Sequence, residues 1–332
     1  MLAVLCPAAI GAGPRVVTIA AVGDIAMAPS YGGASSFFGR TVRKALAADA
    51  ALGNLEGTLA TGGASKCAPA STDCFAFRAP PSYARALRRA GFTIMNLANN
   101  HALDYGEQGQ AETIAALRRS GLRFTGRSGE ITIARTDTMK VAFIGFAPYP
   151  WAQNLLDLDA AAALVRRAGK RADVVVVTMH AGAEGSDYQH VKPGPETYLG
   201  EPRGNVVAFA HAVVRAGADL VIGHGPHVLR GIEWYRGRVI AYSLGNFLGN
   251  GTLNIDGITG LSAILHASLH RDGSWADGKL VPVRLTASGL PRVDAGKATL
   301  ATVRRLSRED FGRNAVRVSP SGTLLPPAWR TG

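Results

Sequence analysis

The sequence predicts an α/β fold, and three observations carry that prediction. Short apolar runs with little polar alternation recur along the chain, among them Val16 to Val22, Val141 to Phe146 and Asp173 to Met179. This is the pattern of strands buried on both faces of a sheet. Segments of helical period lie between them, such as Glu107 to Ser120 with Ala111, Ile114 and Leu117 on one face. Polar groups gather where the apolar runs end, which is where open α/β sheets hold ligands.

The 332 residues are enough for one large domain or two small ones, and at 47% hydrophobic and 18% charged they build a large core. No stretch reaches the roughly 18 to 20 uncharged apolar residues of a spanning helix. The formal charge of +12, from 36 Lys and Arg against 24 acids, favours an anionic partner. A phosphate, a polyanionic polymer or a membrane surface would fit. Nucleic acid is disfavoured: the basic residues are scattered along helices (Arg85, Arg88 and Arg89; Arg118 and Arg119; Arg166 and Arg167) without interleaved aromatics. Cys67 and Cys74 share a Gly/Ser/Ala/Pro-rich loop with no His or further Cys to complete a zinc set. A local disulfide is expected, and with it an oxidising, extracytoplasmic compartment. Residues 1–15 read as a leader like a signal peptide, with small residues at Gly11 and Gly13 but no basic start.

In chain order, the first strand ends at Gly23-Asp24. A helix follows over Thr41 to Ala48. A second apolar run, from Ala50, ends in Asn54-Leu55-Glu56-Gly57. The cysteine loop, about Thr61 to Pro81, reads as a surface insertion, a lid or flap. After the helix Tyr83 to Ala90, a short strand delivers Asn99, Asn100 and His101 to a turn. Asp104 and Glu107 have the spacing of a capping box. Asn tolerates left-handed backbone, so the Asn pair could simply make the turn. The Asp173 to Met179 strand ends at His180 and opens a long Gly/Pro-rich loop. Helix Asn205 to Ala216 leads to Asp219 to Ile222, with GHGPH (223–227) at its end. A hairpin over Arg236-Gly237 and strands Leu261 to Leu269 and Leu280 to Leu285 follow, then a basic helix over Ala298 to Leu306.

Five strand ends thus carry ligand-type groups: Asp24; Asn54 and Glu56; Asn100 and His101; His180; His224 and His227. Mixed carboxylate, amide and imidazole donors suit one or two divalent transition ions (Mn, Fe, Zn or Co) rather than a thiolate zinc. Two ions would need a bridging carboxylate, for which Glu56 is the candidate.

With GD at 23–24, NLEG at 54–57, NLANNHALDYG at 96–106, H-x-G-x-E at 180–184, GADLVIGHGPHV at 217–228 and YSLGNF at 242–247, the chain resembles the CapA-type poly-γ-glutamate capsule biosynthesis proteins. These in turn resemble calcineurin-like metallophosphoesterases. The resemblance covers roughly residues 16 to 250. It implies a four-layer α/β/β/α sandwich, here a domain over 16–290 with a C-terminal extension over 291–332, placed outside the cytoplasm. It implies Asp24, Glu56 and His227 at one metal and Glu56, Asn100, His180 and His224 at the other. His101 becomes the acid for the leaving group, next to Asn100. Asn54, Glu184, Arg203 and Asn246 are expected on the substrate side. The phosphoesterase pattern has His where this chain has Ala26, and a bridging Asp where it has Glu56; capsule proteins often have Trp at Ala181. Two functions follow as expectations. One is an exported metal-dependent hydrolase or transferase acting on a phosphoester or on a γ-glutamyl or related envelope polymer. The other is a non-catalytic accessory that binds an anionic polymer beside a membrane synthase complex.

Overall fold

The computed structural model describes residues 16–30, 33–69, 71–137 and 139–330. The leader expected over 1–15 lies outside the described residues. Two large sheets face each other. The larger is ordered Pro291–Val293, Trp275–Leu285, Leu261–His270, Val16–Met27, Ala50–Leu55, Ile94–Asn96, Arg123–Thr125, with Asn246–Asn250 alongside Val16–Met27. The smaller is ordered Ile232–Tyr235, Arg238–Ala241, Leu220–His224, Val174–His180, Lys140–Phe146, Thr132–Arg135. Strands at the heart of each sheet run parallel, as the right-handed crossover through a helix requires.

Alternate residues of one strand serve two cores. Ile19, Ala21, Leu52 and Ile94 of the larger sheet meet Phe143, Val176 and Ile222 of the smaller between the sheets. Ala20, Val22, Ala51 and Met95 point outward under helices Tyr83–Ala90 and Gly106–Arg119. Ile144, Val175, Val177 and Val221 point outward under Leu158–Gly169 and Val206–Arg215. This is the expected α/β/β/α stack, and it explains why the runs lack polar alternation. Asn205 caps its helix by accepting from Ala208 N at 3.0 Å.

The chain beyond residue 290 is built into the sandwich. Helix Ala298–Phe311 places Leu300 and Val303 in the core between the sheets, with Val316, Val318 and Leu324. It runs past the expected end at Leu306 because its polar residues there have buried work. Ser307 accepts from Ile232 N at 2.9 Å, and Asp310 accepts from Val191 N at 3.0 Å. Asp104 differs from the sequence reading too. The helix begins at Gly106 with Tyr105 at its N-cap and no side-chain cap, because Asp104 turns inward to His101.

Candidate metal centre

Register lines up the donors. In the larger sheet Asn96 lies opposite Asn54, Asn54 opposite Asp24, and Asp24 opposite Asn246. In the smaller, His224 lies opposite His180. Asp24 was expected at a strand mouth; instead it lies inside Val16–Met27, at a break in register. There the strand leaves Leu261–His270 and takes Asn246–Asn250 as its neighbour. Gly23 makes the switch sterically feasible, since a Cβ there would collide with the carbonyl oxygen of Gly245. Gly225, at φ 104°, brings the chain over His180 and lets its own amide donate to Asp24 Oδ2 at 3.2 Å. His227 takes a left-handed φ of 59°, costly for a residue with a Cβ and concentrated at functional sites.

Ligand atoms of Asp24, Glu56 and His180 lie within 4.8 Å of one another, all three residues buried. His224 Nδ1 is 3.7 Å from Asp24 Oδ1, and His227 Nδ1 is 3.3 Å from Asp24 Oδ2. His227 Nε2 is 3.5 Å and His180 Nε2 3.8 Å from Glu56 Oε1. The 3.3 Å approach of His227 to Asp24 is a long hydrogen bond; the other three are spacings at which an ion could sit between the atoms. Both oxygens of Glu56, both ring nitrogens of His224 and Oδ1 of Asn100 are buried without a hydrogen bond. Native interiors seldom leave polar atoms so. Glu56 and His224 lie against Asp24, His180 and His227 with these atoms unpartnered, so the residues present fit a divalent cation.

The electrostatics agree. Burial pushes the Glu56 carboxyl well above the usual range, and the charges of Asp24 and Glu184 add to this against His227. Burial would also raise Asp24, but the hydrogen bond and charge of His227, with His224 and His180 behind it, hold it below that range. Burial opposes a charge on His227, yet Glu56, Asp24 and Glu184 push it up to about 10. Burial takes His224 down to about 4 and His180 well below the ordinary histidine value. Those two imidazoles are therefore neutral, the form that ligates.

A shell of amides fixes the donors. Asn54 Nδ2 donates to Asp24 Oδ1 at 2.8 Å and lies 3.1 Å from His180 Nδ1. Asn54 Oδ1 accepts from Asn96 at 2.9 Å and Asn99 at 3.2 Å. Asn54, expected against substrate, is thus placed beneath Asp24 and His180 with its amide engaged on both sides. Asn246 likewise sits behind His227, its Oδ1 at 2.8 Å from Nδ1. The sequence reading passed over Asn96, whose signal is its place in the same apolar strand end. Asn99 and Asn100 divide the work: Asn99 ties the turn to Leu55 O at 2.9 Å, and Asn100 keeps a free amide oxygen. Ala26 is fully buried and offers no donor.

Two clefts, about 420 and 390 Å³, open over this point and share Phe75, His101, Glu184 and Tyr198 in their walls. His101 Nδ1 is 2.7 Å from Asp104 Oδ2. Burial lowers the His101 pKa against the opposing pull of Asp104. Arg203, expected on the substrate side, is 1% exposed and pairs with Glu184 at 2.7 Å. Cys67 and Cys74 are bonded, with Cα atoms 5.5 Å apart.

A carboxylate, imidazole and amide cluster between two facing sheets defines the class: an α/β/β/α protein with a candidate metal centre. Residues 18–251 match the family described as bacterial capsule synthesis protein PGA_cap, and the chain belongs to that family. It is 34% identical over 181 residues to the PGA biosynthesis protein CapA of Bacillus subtilis, covering 49% of this chain and 44% of that one. It is 34% identical over 185 residues to the capsule biosynthesis protein CapA of Bacillus anthracis, covering 49% and 42%. With a "Probable polyglutamine synthesis accessory protein" of Mycobacterium tuberculosis the identity is 31% over 227 residues, 60% of this chain and 55% of that one. The matched region thus spans about half the length of these relatives. Among solved structures, the 5'-nucleotidase precursor of Thermus thermophilus superposes with a TM-score of 0.46 at 13% identity, covering 88% of this chain and 59% of that one.

Proposed function

We propose that this chain is an exported, metal-dependent hydrolase or transferase of the capsule synthesis family. It acts on a phosphoester or on a γ-glutamyl or related bond of an anionic envelope polymer. The observation that carries the reading is the set of buried, unpartnered donors on Glu56, His224 and Asn100 beside the His101–Asp104 pair. A donor cluster alone could be a structural site; a histidine held by a carboxylate in the wall of the cleft over that cluster adds a group able to move a proton.

Asp24, Glu56, Asn100, His180, His224 and His227 would hold one or two divalent ions. Such ions supply Lewis-acid polarisation of the substrate oxygen and a more acidic bound water. The chain's residues do the rest. Asp104 fixes Nδ1 of His101 and stabilises its charged form, leaving Nε2 to hand a proton to the leaving group. Burial makes the charged ring a stronger acid. Arg203 and Glu184 border the cleft where an anionic substrate would enter. The disulfide supports an extracytoplasmic location. Among the described residues no helix is long and apolar enough to cross a membrane.

One observation favours the second reading, a polymer-binding accessory of a synthase complex: Ala26 fills with a methyl group the place where the phosphoesterase pattern has a ligand. Assays of metal-loaded protein on chromogenic phosphoesters and γ-glutamyl anilides separate the two. Turnover that disappears in His101→Ala with metal still bound supports the hydrolase. Absence of turnover, with retention of poly-γ-glutamate on the immobilised protein, supports the accessory.

A further inference from the structure

The loop between Thr58–Leu59 and Arg78–Ala79 does more than cover the cleft. Those two short strands pair in parallel and fix its ends. From one side Lys66 Nζ meets Asp104 Oδ1 at 2.7 Å and the carbonyl oxygen of Asn100 at 3.2 Å, while Lys66 N donates to Asp104 O at 2.8 Å. From the other side Phe77 N donates to Asp104 Oδ2 at 2.6 Å, the oxygen that also faces His101 Nδ1. The Phe77 ring stacks on the His101 ring, centroids 4.3 Å apart and planes at 30°. His101 is thus held at its edge through Asp104 and on its face by Phe77. Each oxygen of Asp104 is engaged by a residue of the loop. Cys67 follows Lys66 directly, and its bond to Cys74 closes the ring of chain between Lys66 and Phe77.

We propose that Lys66 is a positioning residue for His101, acting through Asp104, and that the Cys67–Cys74 bond keeps Lys66 and Phe77 in place, so that the site is assembled only in the oxidised protein. The role of His101 rests on the hydrolase reading above; its positioning does not. Without Lys66, the buried Asp104 carboxylate loses its cation and the hold on Oδ1, and only Phe77 N is left from the loop to keep Oδ2 against Nδ1. Without the cross-link, the segment bearing both clamps gains conformations at the expense of the one that grips the ring. Partners that orient a functional histidine change activity 10- to 100-fold when removed from metal sites, and a loss of that order is expected here.

The test uses the full chain and two readouts. The first, independent of turnover, is the ring N–H signal of His101 in 15N-labelled, metal-free protein, assigned by its absence in His101→Gln. Wild type is expected to show a slowly exchanging Nδ1–H; Lys66→Ala and the mildly reduced protein to lose its protection; Lys66→Arg to keep it. The second is hydrolysis of bis(4-nitrophenyl) phosphate with saturating Mn²⁺. The rate constant is expected to fall about 10-fold or more in Lys66→Ala and after reduction, at unchanged KM, with Arg restoring most of it. Lys66 is partly exposed, with 35% of its side chain accessible, so its variants should fold. An unchanged His101 N–H in both Lys66→Ala and reduced protein overturns the proposal. Loss of the signal in a protein that hydrolyses neither this probe nor a γ-glutamyl anilide upholds the positioning and removes the hydrolase.

Discussion

Glu56→Gln separates a carboxylate kept for function from one kept for stability. Glu56 is fully buried, neither oxygen has a hydrogen bond, and burial with two neighbouring acids disfavours its charge. In the metal-free protein it is a net cost, and an amide of the same shape relieves the charged part of that cost. Metal-free Glu56→Gln should therefore melt at or a few degrees above wild type, where a typical core substitution loses roughly 0.5 to 3 kcal/mol. Added metal should act in the opposite sense. A cation at 1,000 times its Kd stabilises a native protein by about 4 kcal/mol. With an unfolding entropy of about 2.1 cal/mol/K per residue, or about 0.7 kcal/mol/K for a chain of 332 residues, that is an upward shift of about 6 °C. In Glu56→Gln, with a central ligand weakened, the shift should fall to about a third or less. Scanning calorimetry with Mn²⁺ or Zn²⁺, and with EDTA as control, reads both quantities. A metal-free variant destabilised by more than about 2 kcal/mol would contradict the reasoning, as would a variant keeping the full metal shift.

Other substitutions probe separate parts of the account. His101→Ala should lower turnover about 100-fold or more while metal content stays constant, and an unchanged rate would remove its acid role. Gly23→Ala should force the first strand off Gly245 and abolish metal binding, measured by calorimetric titration; normal affinity would show the close approach is not needed. Glu112 accepts from Thr61 N at 2.7 Å, from Thr61 Oγ1 at 3.0 Å and from Gly62 N at 3.4 Å, with Gln108 beside it, and its carboxyl sits at about 2. Because the folded value is depressed, this anchor is at full strength above the ordinary value of 4.5 and is lost as pH falls toward 2. Hydrogen exchange at Thr61 should rise through that window in wild type and show no such step in Glu112→Gln; identical profiles would refute the anchor. Peptide mapping without reductant should return Cys67 joined to Cys74, and two free thiols in the native protein would remove the compartment argument.

The sequence made the strands legible because parallel strands between two helical layers need apolar residues on both faces. The runs ending at Phe146, at His180 and just before His224 say so directly. Thr132–Arg135 escaped notice because it is a short, half-buried edge strand with weak patterning. Which strands share a sheet is decided by long-range pairing. Nothing local in Asn246–Asn250 announces that it will lie against Asp24 and not follow the hairpin strand Arg238–Ala241 into the smaller sheet. The donor residues were legible for a related reason. Strand ends are where the chain turns, and His or Glu at such a place, buried, is uncommon without a partner. What each amide does was not legible. Asn54 and Asn100 look alike as letters, yet one is engaged beneath Asp24 and His180 and the other keeps a free oxygen. Asp104 has capping-box spacing, but tertiary partners, Lys66 and His101, outcompete the local cap.

Elemental analysis of gently purified protein beside Glu56→Ala and His224→Ala decides whether these donors hold a metal. Wild type should carry at least one equivalent of a divalent transition metal, lost in both variants, with one equivalent pointing to Ala26 as the reason for a single site and two to a dinuclear site. No bound metal in wild type, even after reconstitution, would contradict the metal centre.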